Sequence, residues 1–196
     1  DRRRTRRAIT EAVTTLRDLL KKADLTIVNA ERFIEVEHRI PISESYSLDV
    51  RLRGYVDMEL ADPLGRSFVL DLKYSRGKWY QEGLEEGRAL QLATYVVLIQ
   101  KDTDTPNRGV GYYLIPRRQL VTNTELAGIR PVQASRPLSE VWERAEHSIR
   151  QTVHRLVEAG TIEVAGIVQT QPTTDGTDAM EIVRHQVESA GGLFVE

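Results

Sequence analysis

The sequence predicts an α/β fold in which a mixed β-sheet is flanked by helices, in the order αβββαβ with one added helix. Two long segments with apolar residues at helical spacing bracket several short strand-like segments, and a further apolar helix lies among the strands. A chain of 196 residues is long enough to bury one core. We predict a domain over 1–160 and an extension over 161–196, which either belongs to that domain or contacts a partner.

The elements follow from local patterns along the chain. The first helix is predicted over 5–23 because its apolar residues recur at intervals of three and four. Strands follow near 33–42, 48–60 and 67–74, then a helix at about 84–101. A strand over 109–115 stops at Pro116 and has a short extension over 119–122, and a second amphipathic helix runs over 138–159 before Gly160.

The second and third strands form a hairpin with a three-residue loop. Pro63 suits the first central position of a type I turn, and Gly65 is free to take a positive φ after it. If Asp62 and Arg66 close the hairpin, the register of the two strands is fixed.

That register brings acidic residues together on one face of the sheet. Asp57 lies directly opposite Asp71, and Tyr55 lies opposite Lys73, because side chains alternate with a period of two. Facing carboxylates repel unless a cation neutralises them. The other face is predicted to be core and contains Val56, Met58, Leu60, Phe68, Leu70 and Leu72.

Oxygen ligands without a neighbouring histidine or cysteine favour Mg²⁺ or Mn²⁺ over zinc. Lys73 is suited to hold an attacking water or to stabilise charge on a phosphoryl oxygen. The pattern therefore predicts a metal-dependent phosphodiesterase site. Asp-x-Lys alone is most often a surface ion pair, so the interpretation depends on the neighbouring motifs.

A third motif lies on the helix about twenty residues after Asp71. Gln91 and Tyr95 are four residues apart and share one face of an otherwise apolar helix. Alternatively, both are core residues whose polar groups form hydrogen bonds with the backbone.

Together these motifs resemble those of the PD-(D/E)XK nuclease superfamily, in the branch of RecB-type nuclease domains of helicase–nuclease complexes. The resemblance covers about 30–115 and rests on Gly54, Asp57, Asp71, Lys73, Gln91 and Tyr95. It implies a restriction-endonuclease-like αβββαβ core. It further implies that Asp57, Asp71 and the backbone carbonyl of Leu72 hold the metal, that Lys73 is catalytic, and that Gln91 and Tyr95 line the site.

One departure concerns a further metal ligand. Many relatives carry a histidine upstream of these motifs, whereas the first histidine here is His38, which alternation places on the apolar side of its strand. Glu11 on the first helix, or Glu35 or Glu37 on the first strand, is a candidate replacement. Each is otherwise a solvated carboxylate.

A basic and aromatic cluster follows the strand that carries Lys73. Arg76, Lys78, Trp79 and Tyr80 combine cations with rings that stack on unpaired bases, so we predict DNA contact there. The alternative is a loop whose Trp79 and Tyr80 pack under the next helix.

Composition narrows the class of protein. The absence of cysteine excludes disulfides and an iron–sulfur cluster. A net charge of −2 does not favour DNA binding by overall attraction, so the distribution of charge matters more. Without a signal peptide or an apolar run of roughly 20 residues, we expect a cytoplasmic protein that does not bind membranes.

These observations predict a Mg²⁺-dependent DNA nuclease, either an exonuclease or a processing nuclease in repair or recombination. The missing initiator Met suggests a piece of a larger protein, so a helicase or other domains are expected partners beside DNA. A site-specific endonuclease would need a recognition subdomain. The alternative from another class is an inactive nuclease-fold module that binds DNA or a partner protein.

Overall fold

A computed structural model describes residues 2–75 and 77–159, so Arg76 and the predicted extension over 161–196 lie outside the described residues. The elements are α1 (Arg2–Lys22), β1 (Thr26–Pro41), β2 (Ser47–Ala61), β3 (Ser67–Lys73), α2 (Lys78–Glu85), α3 (Leu90–Thr103), β4 (Asn107–Leu114), β5 (Gln119–Thr122) and α4 (Leu138–Ala159). The predicted α/β class, with a five-stranded mixed sheet and flanking helices, is confirmed.

The strands are ordered β1-β2-β3-β4-β5 across the sheet. The β2–β3 and β4–β5 pairs are antiparallel, and the β3–β4 pair is parallel. Parallel neighbours need a crossover connection, which here consists of α2 and α3. This crossover sets α3 against the central strands β3 and β4.

The face of the sheet opposite α3 packs on α1. Its core cluster contains Ala12, Leu16 and Leu20 of α1. The Tyr113 hydroxyl donates a hydrogen bond to the Ala12 carbonyl oxygen at 2.7 Å, so the buried polar end of that ring is satisfied. The predicted apolar strand face is confirmed as buried or packed against this core, at Val56, Met58, Leu60, Phe68, Leu70 and Leu72.

The hairpin turn has the predicted geometry. The Asp62 amide donates to the Arg66 carbonyl oxygen at 3.0 Å, and the Gly65 amide donates to the Asp62 carbonyl oxygen at 2.9 Å. Gly65 has φ 74°, the left-handed conformation that glycine adopts without strain. The Asp62 carboxylate accepts the amides of Leu64 and Arg66, which stiffens the loop.

The predicted helix over 84–101 is instead two helices, α2 and α3. They are separated at Gly87, where φ is 63°. The Gly87 amide donates to the Leu84 carbonyl oxygen at 3.2 Å and the Arg88 amide to that of Gly83 at 2.7 Å, which is the Schellman arrangement. The prediction missed α2 because a segment of eight residues that includes a glycine is too short for its helical spacing to be read.

The first strand begins at Thr26, earlier than the predicted 33. Its first residues, including Ile27 and Val28, are mostly exposed, so they show no apolar alternation from which a strand is read. Glu31 has φ 49° and interrupts the alternation. From Ile34 onward, even-numbered residues are the more buried ones.

Among the described residues there are two compact units, one formed by the residues up to Val36 with those of Leu52–Glu143, the other by Glu37–Arg51 with the residues from Arg144 to Ala159. The first carries all the motif residues. In the second, His38 is half-buried and contacts the Glu146 carboxylate, and Arg39 pairs with Asp49 at 2.7 Å. Among the described helices, none combines the length and apolar character needed to cross a bilayer.

Candidate active site

The two predicted carboxylates lie where the β2–β3 ladder ends. The registered pairs run from Ala61↔Ser67 to Met58↔Leu70, and the next position along brings Asp57 to Asp71. The Asp57 carboxylate Oδ2 accepts a hydrogen bond from the Leu72 amide at 2.8 Å. A side chain therefore bonds a β3 amide at this point, which ties the Asp57 carboxylate to the strand that carries Asp71.

Asp71 is a buried acid without ordinary hydrogen-bond partners. Its exposed fraction is 1%, and neither carboxylate oxygen receives a hydrogen bond of normal geometry from the described residues. Burial raises the pKa of Asp71 to about 6; the Lys73 ammonium opposes that rise, and the negative charge of Asp57 adds to it. Oδ1 has no hydrogen-bond partner among the described residues and the contact of Oδ2 is with Lys73, an unusual state for a buried carboxylate that favours a cation.

Lys73 supplies one positive charge next to the Asp71 carboxylate. Its Nζ lies 2.6 Å from Asp71 Oδ2, and it donates a hydrogen bond to Gln91 Oε1 at 3.1 Å. Burial alone favours the neutral amine, but the contact with Asp71 prevails and raises the pKa of Lys73 above its usual range. The lysine is therefore fully protonated at neutral pH.

The α3 helix holds the other end of this network. Gln91 Nε2 donates a hydrogen bond to the Tyr95 hydroxyl oxygen at 2.9 Å, and Gln91 Oε1 accepts one from Lys73. The two residues of the predicted i,i+4 pair are thus bonded to each other, and Gln91 links them to the lysine. Burial, with the negative charges of Asp57 and Asp71, raises the pKa of Tyr95, so its hydroxyl stays protonated. The structure thus brings together all five predicted catalytic residues.

Gly54 lies where the ring of Tyr95 meets β2. A Cβ atom there would lie 3.4 Å from Tyr95 Cε1 and 3.4 Å from Leu98 Cδ1, tighter than most real contacts. Tyr55, predicted to face Lys73, is 64% exposed, and its ring centroid lies 5.1 Å from that of Phe33. The contact that the structure shows for Tyr55 is therefore with β1.

One tyrosine borders the lysine on the crossover side, and a second packs against the first. The Tyr80 ring centroid lies 5.7 Å from Lys73 Nζ and 4.8 Å from the Tyr112 ring. Tyr112 is the registered β4 partner of Asp71, and burial together with the charge of Asp71 raises the pKa of its hydroxyl. Sequence reasoning missed Tyr112; its one signal was the adjacent pair Tyr112 and Tyr113 inside an otherwise apolar strand.

The candidate replacement ligands lie elsewhere. Glu11 pairs with Arg7 at 2.9 Å and with Arg118 at 3.0 Å, and Glu35 and Glu37 are exposed on β1. Across residues 2–75 and 77–159, no group of three or more histidine, cysteine, aspartate or glutamate side chains is placed to hold a metal ion. The structure does not gather Glu11 with Asp57 and Asp71.

A third acid, Glu59, lies two residues after Asp57 and was not predicted. Its exposed fraction is 5%, and its Oε2 accepts hydrogen bonds from Asn29 at 2.8 Å and Arg32 at 2.9 Å. Arg32 also contacts Asp102 near the end of α3. The Glu59 carboxylate is satisfied by these two donors, and Arg32 joins it to Asp102. Glu59 therefore stabilises the strand–helix packing beside the site.

The described residues that were predicted to contact DNA differ in their exposure to solvent along α2. Lys78 is 88% exposed and pairs with Glu82 at 2.9 Å. Trp79 is 67% exposed, whereas the next residue, Tyr80, is half-buried against Tyr112. The packing alternative thus holds for Tyr80 and not for Trp79, and DNA contact at these residues stays a prediction.

The donor set suits a hard divalent cation. Two neighbouring carboxylates supply only oxygen, and the Asp71 oxygens are buried acceptors without normal hydrogen bonds. A protonated lysine beside the pair is placed to meet negative charge on a substrate.

The α/β fold and this site define a nuclease-type hydrolase. The model of the PD-(D/E)XK nuclease superfamily matches residues 1–175, and the chain belongs to this superfamily. Its members generally use divalent metal ions. Comparison with curated proteins gives no match.

Proposed function

We propose that the protein is a Mg²⁺-dependent deoxyribonuclease of the RecB-type branch. In this proposal it is a cytoplasmic exonuclease or processing nuclease in DNA repair or recombination, working with a helicase or with other domains of a larger protein. The observation that carries the proposal is the buried Asp71 carboxylate, which has Lys73 at 2.6 Å and Asp57 beside it.

Asp57 and Asp71, with the backbone carbonyl of Leu72, would hold Mg²⁺ or Mn²⁺. When bound, the ion supplies Lewis acidity and lowers the pKa of a coordinated water. Burial is the main cause of the raised pKa of Asp71, and the negative charge of Asp57 adds to it, so a cation next to both carboxylates would offset both effects, which supports the proposal.

Lys73 would donate a hydrogen bond to the attacking water or to a non-bridging phosphoryl oxygen. Its ammonium is anchored by Asp71 on one side and by Gln91 on the other, which fixes its position before substrate binds. The Tyr95 hydroxyl holds Gln91 in turn. Gln91 and Tyr95 are thus proposed to orient the lysine.

The DNA strand would approach over α2. Lys78 and Trp79 are open to solvent there, next to Tyr80 at the lysine. Arg76, two residues before Lys78 in the sequence, lies outside the described residues and is proposed as a DNA contact from the sequence alone. Lysine and arginine contribute to affinity through the phosphates, while aromatic rings stack on bases.

The test is cleavage of end-labelled single-stranded and duplex DNA, with an RNA arm, in Mg²⁺, Mn²⁺ or EDTA. The wild-type protein should cleave only with metal, and Asp71→Asn and Lys73→Ala should each lower the rate by about 10²-fold or more. Lys101→Ala, an exposed lysine in the last turn of α3, is the matched control and should cleave like wild type.

Metal-dependent cleavage that survives both substitutions would contradict the site. DNA binding without cleavage by the intact protein would instead identify a binding module. Labelled products also distinguish an exonuclease from an endonuclease, because only the former releases mononucleotides from an end.

A further inference from the structure

Trp79 presents an indole ring to solvent with a guanidinium already stacked on it. The side chain is 67% exposed, and the Arg88 guanidinium carbon lies 5.0 Å from the ring centroid. Large exposed aromatic rings are costly to hydrate, and the other tryptophan, Trp142, is 7% exposed. The packing of the first unit leaves the Trp79 ring open.

The position of Arg88 is fixed by the backbone. The Schellman arrangement at the end of α2 places its amide on the Gly83 carbonyl oxygen at 2.7 Å. Its guanidinium is held by the Glu86 carboxylate, at 2.8 Å from Nε and 2.7 Å from Nη2. A Cβ atom at Gly87 would lie 2.2 Å from Arg136 Cγ, so this turn admits little change.

The pair lies beside the catalytic network. Trp79 directly precedes Tyr80, whose ring borders Lys73 Nζ at 5.7 Å. Tyr74, directly after Lys73, is 67% exposed as well. Exposed aromatic side chains therefore flank both ends of the short connection between β3 and α2.

We propose that Trp79 and Arg88 form a stacking subsite for an unpaired nucleobase next to the cleavage site. The inference rests on the proposed function and specifies its substrate: a strand whose bases are free. A base stacks on the open indole, while the guanidinium attracts the neighbouring phosphate. Duplex DNA lacks free base faces away from its ends, so it cannot occupy the subsite in this way.

The experiment uses the intrinsic fluorescence of Trp79. The Asp71→Asn protein is titrated with oligothymidylate and, separately, with a relaxed, covalently closed circular duplex at equal nucleotide concentration. Stacking should quench the fluorescence with the single strand and not with the duplex. The double variant Asp71→Asn, Trp79→Phe retains only Trp142 and should lose the response.

Binding by anisotropy of a labelled oligothymidylate gives a second measurement. Trp79→Ala should weaken single-strand binding by about 5- to 100-fold, the range for one stacked base, while Trp79→Phe should retain part of the affinity. Tyr46→Ala removes an exposed aromatic residue in the turn between β1 and β2, and it should leave the affinity unchanged.

Equal quenching by single strand and closed duplex would overturn the inference, as would unchanged affinity in Trp79→Ala. These results do not depend on catalysis, because the Asp71→Asn background is used throughout. Cleavage by the wild type without quenching would leave the nuclease standing and remove the subsite. Quenching without cleavage by the wild type would support the subsite and contradict the nuclease.

Discussion

Asp71 is the residue at which burial and charge compete most strongly. Its carboxylate is removed from water, yet Lys73 supplies one positive charge for the two acids at this position. With the pKa raised to about 6, between about pH 4 and 6 the folded protein holds a proton on Asp71 that the unfolded chain releases. The stability of the metal-free protein should therefore depend on pH through the titration of Asp71.

We predict that the stability of the metal-free protein falls as pH rises from about 4 to 6. A raised carboxyl pKa stabilises the fold below the unfolded value, and this contribution is lost as pH rises through the folded value, by about 3 kcal/mol at most. Asp71→Asn should remove this slope. Urea unfolding in EDTA at several pH values measures it.

Asp49→Asn is the control for that series. The neighbouring Arg39 lowers the pKa of the exposed Asp49, so its contribution has the opposite sign and is lost as pH falls. Equal pH slopes in wild type and Asp71→Asn would show that Asp71 is not the titrating group.

Tyr80 is predicted to position Lys73 through its ring. Tyr80→Ala should lower kcat by about 2- to 30-fold, the range for a cation–π contact, whereas Tyr80→Phe should stay near wild type. Steady-state kinetics with separate kcat and KM values tests this, beside thermal unfolding of each variant. If the loss appears only in KM, Tyr80 contacts the substrate instead.

Among the elements, the β2–β3 hairpin follows the sequence most closely. Pro63 and Gly65 determine the loop, and the period of two then determines which side chains share a face. Such local constraints depend on few residues. Helix α2 could not be predicted equally well, because Lys78–Glu85 is short and its stability comes from packing onto Tyr112 and the neighbouring strands.

Two glycines in and before α2 should respond oppositely to alanine. Gly77 has φ 86°, and a Cβ atom there would lie 2.1 Å from Leu114 Cδ1, so Gly77→Ala should destabilise the protein by roughly 1–3 kcal/mol. Gly83 is helical with no atom within 4 Å of the added Cβ, so Gly83→Ala should stabilise it by about 0.5–1 kcal/mol. Urea unfolding compares the two variants.

A destabilised Gly83→Ala would show that α2 requires glycine there for a reason other than space. An unchanged Gly77→Ala would show that Leu114 moves aside and that the turn tolerates the substitution.

At the scale of the whole molecule, the sequence specifies contacts within neighbouring elements better than contacts between distant ones. Asp57, Asp71 and Lys73 were predicted together because one hairpin carries them. Tyr112 reaches Asp71 only through parallel pairing of β3 and β4, which no local pattern records. Trp79 and Tyr80 are adjacent in the chain, yet only the fold decides that one is open and one packs.

Divalent cations should stabilise the folded protein as a whole. A ligand that binds only the native state raises the free energy of unfolding by about 2.7 kcal/mol at 100 times its Kd. Thermal unfolding in Mg²⁺ or Mn²⁺ should therefore shift upward for wild type and not for Asp71→Ala. An equal shift in both proteins would indicate cation binding elsewhere.

The parallel pairing of β3 with β4 also has a kinetic consequence. The hairpin closes a three-residue loop, whereas β4 must wait for the long segment that contains α2 and α3. We therefore expect the two acids to meet during folding before Gln91, Tyr80 and Tyr112 join the site. We expect Mg²⁺ to accelerate refolding only if it binds this early hairpin, and to slow unfolding alone if the completed pocket is required.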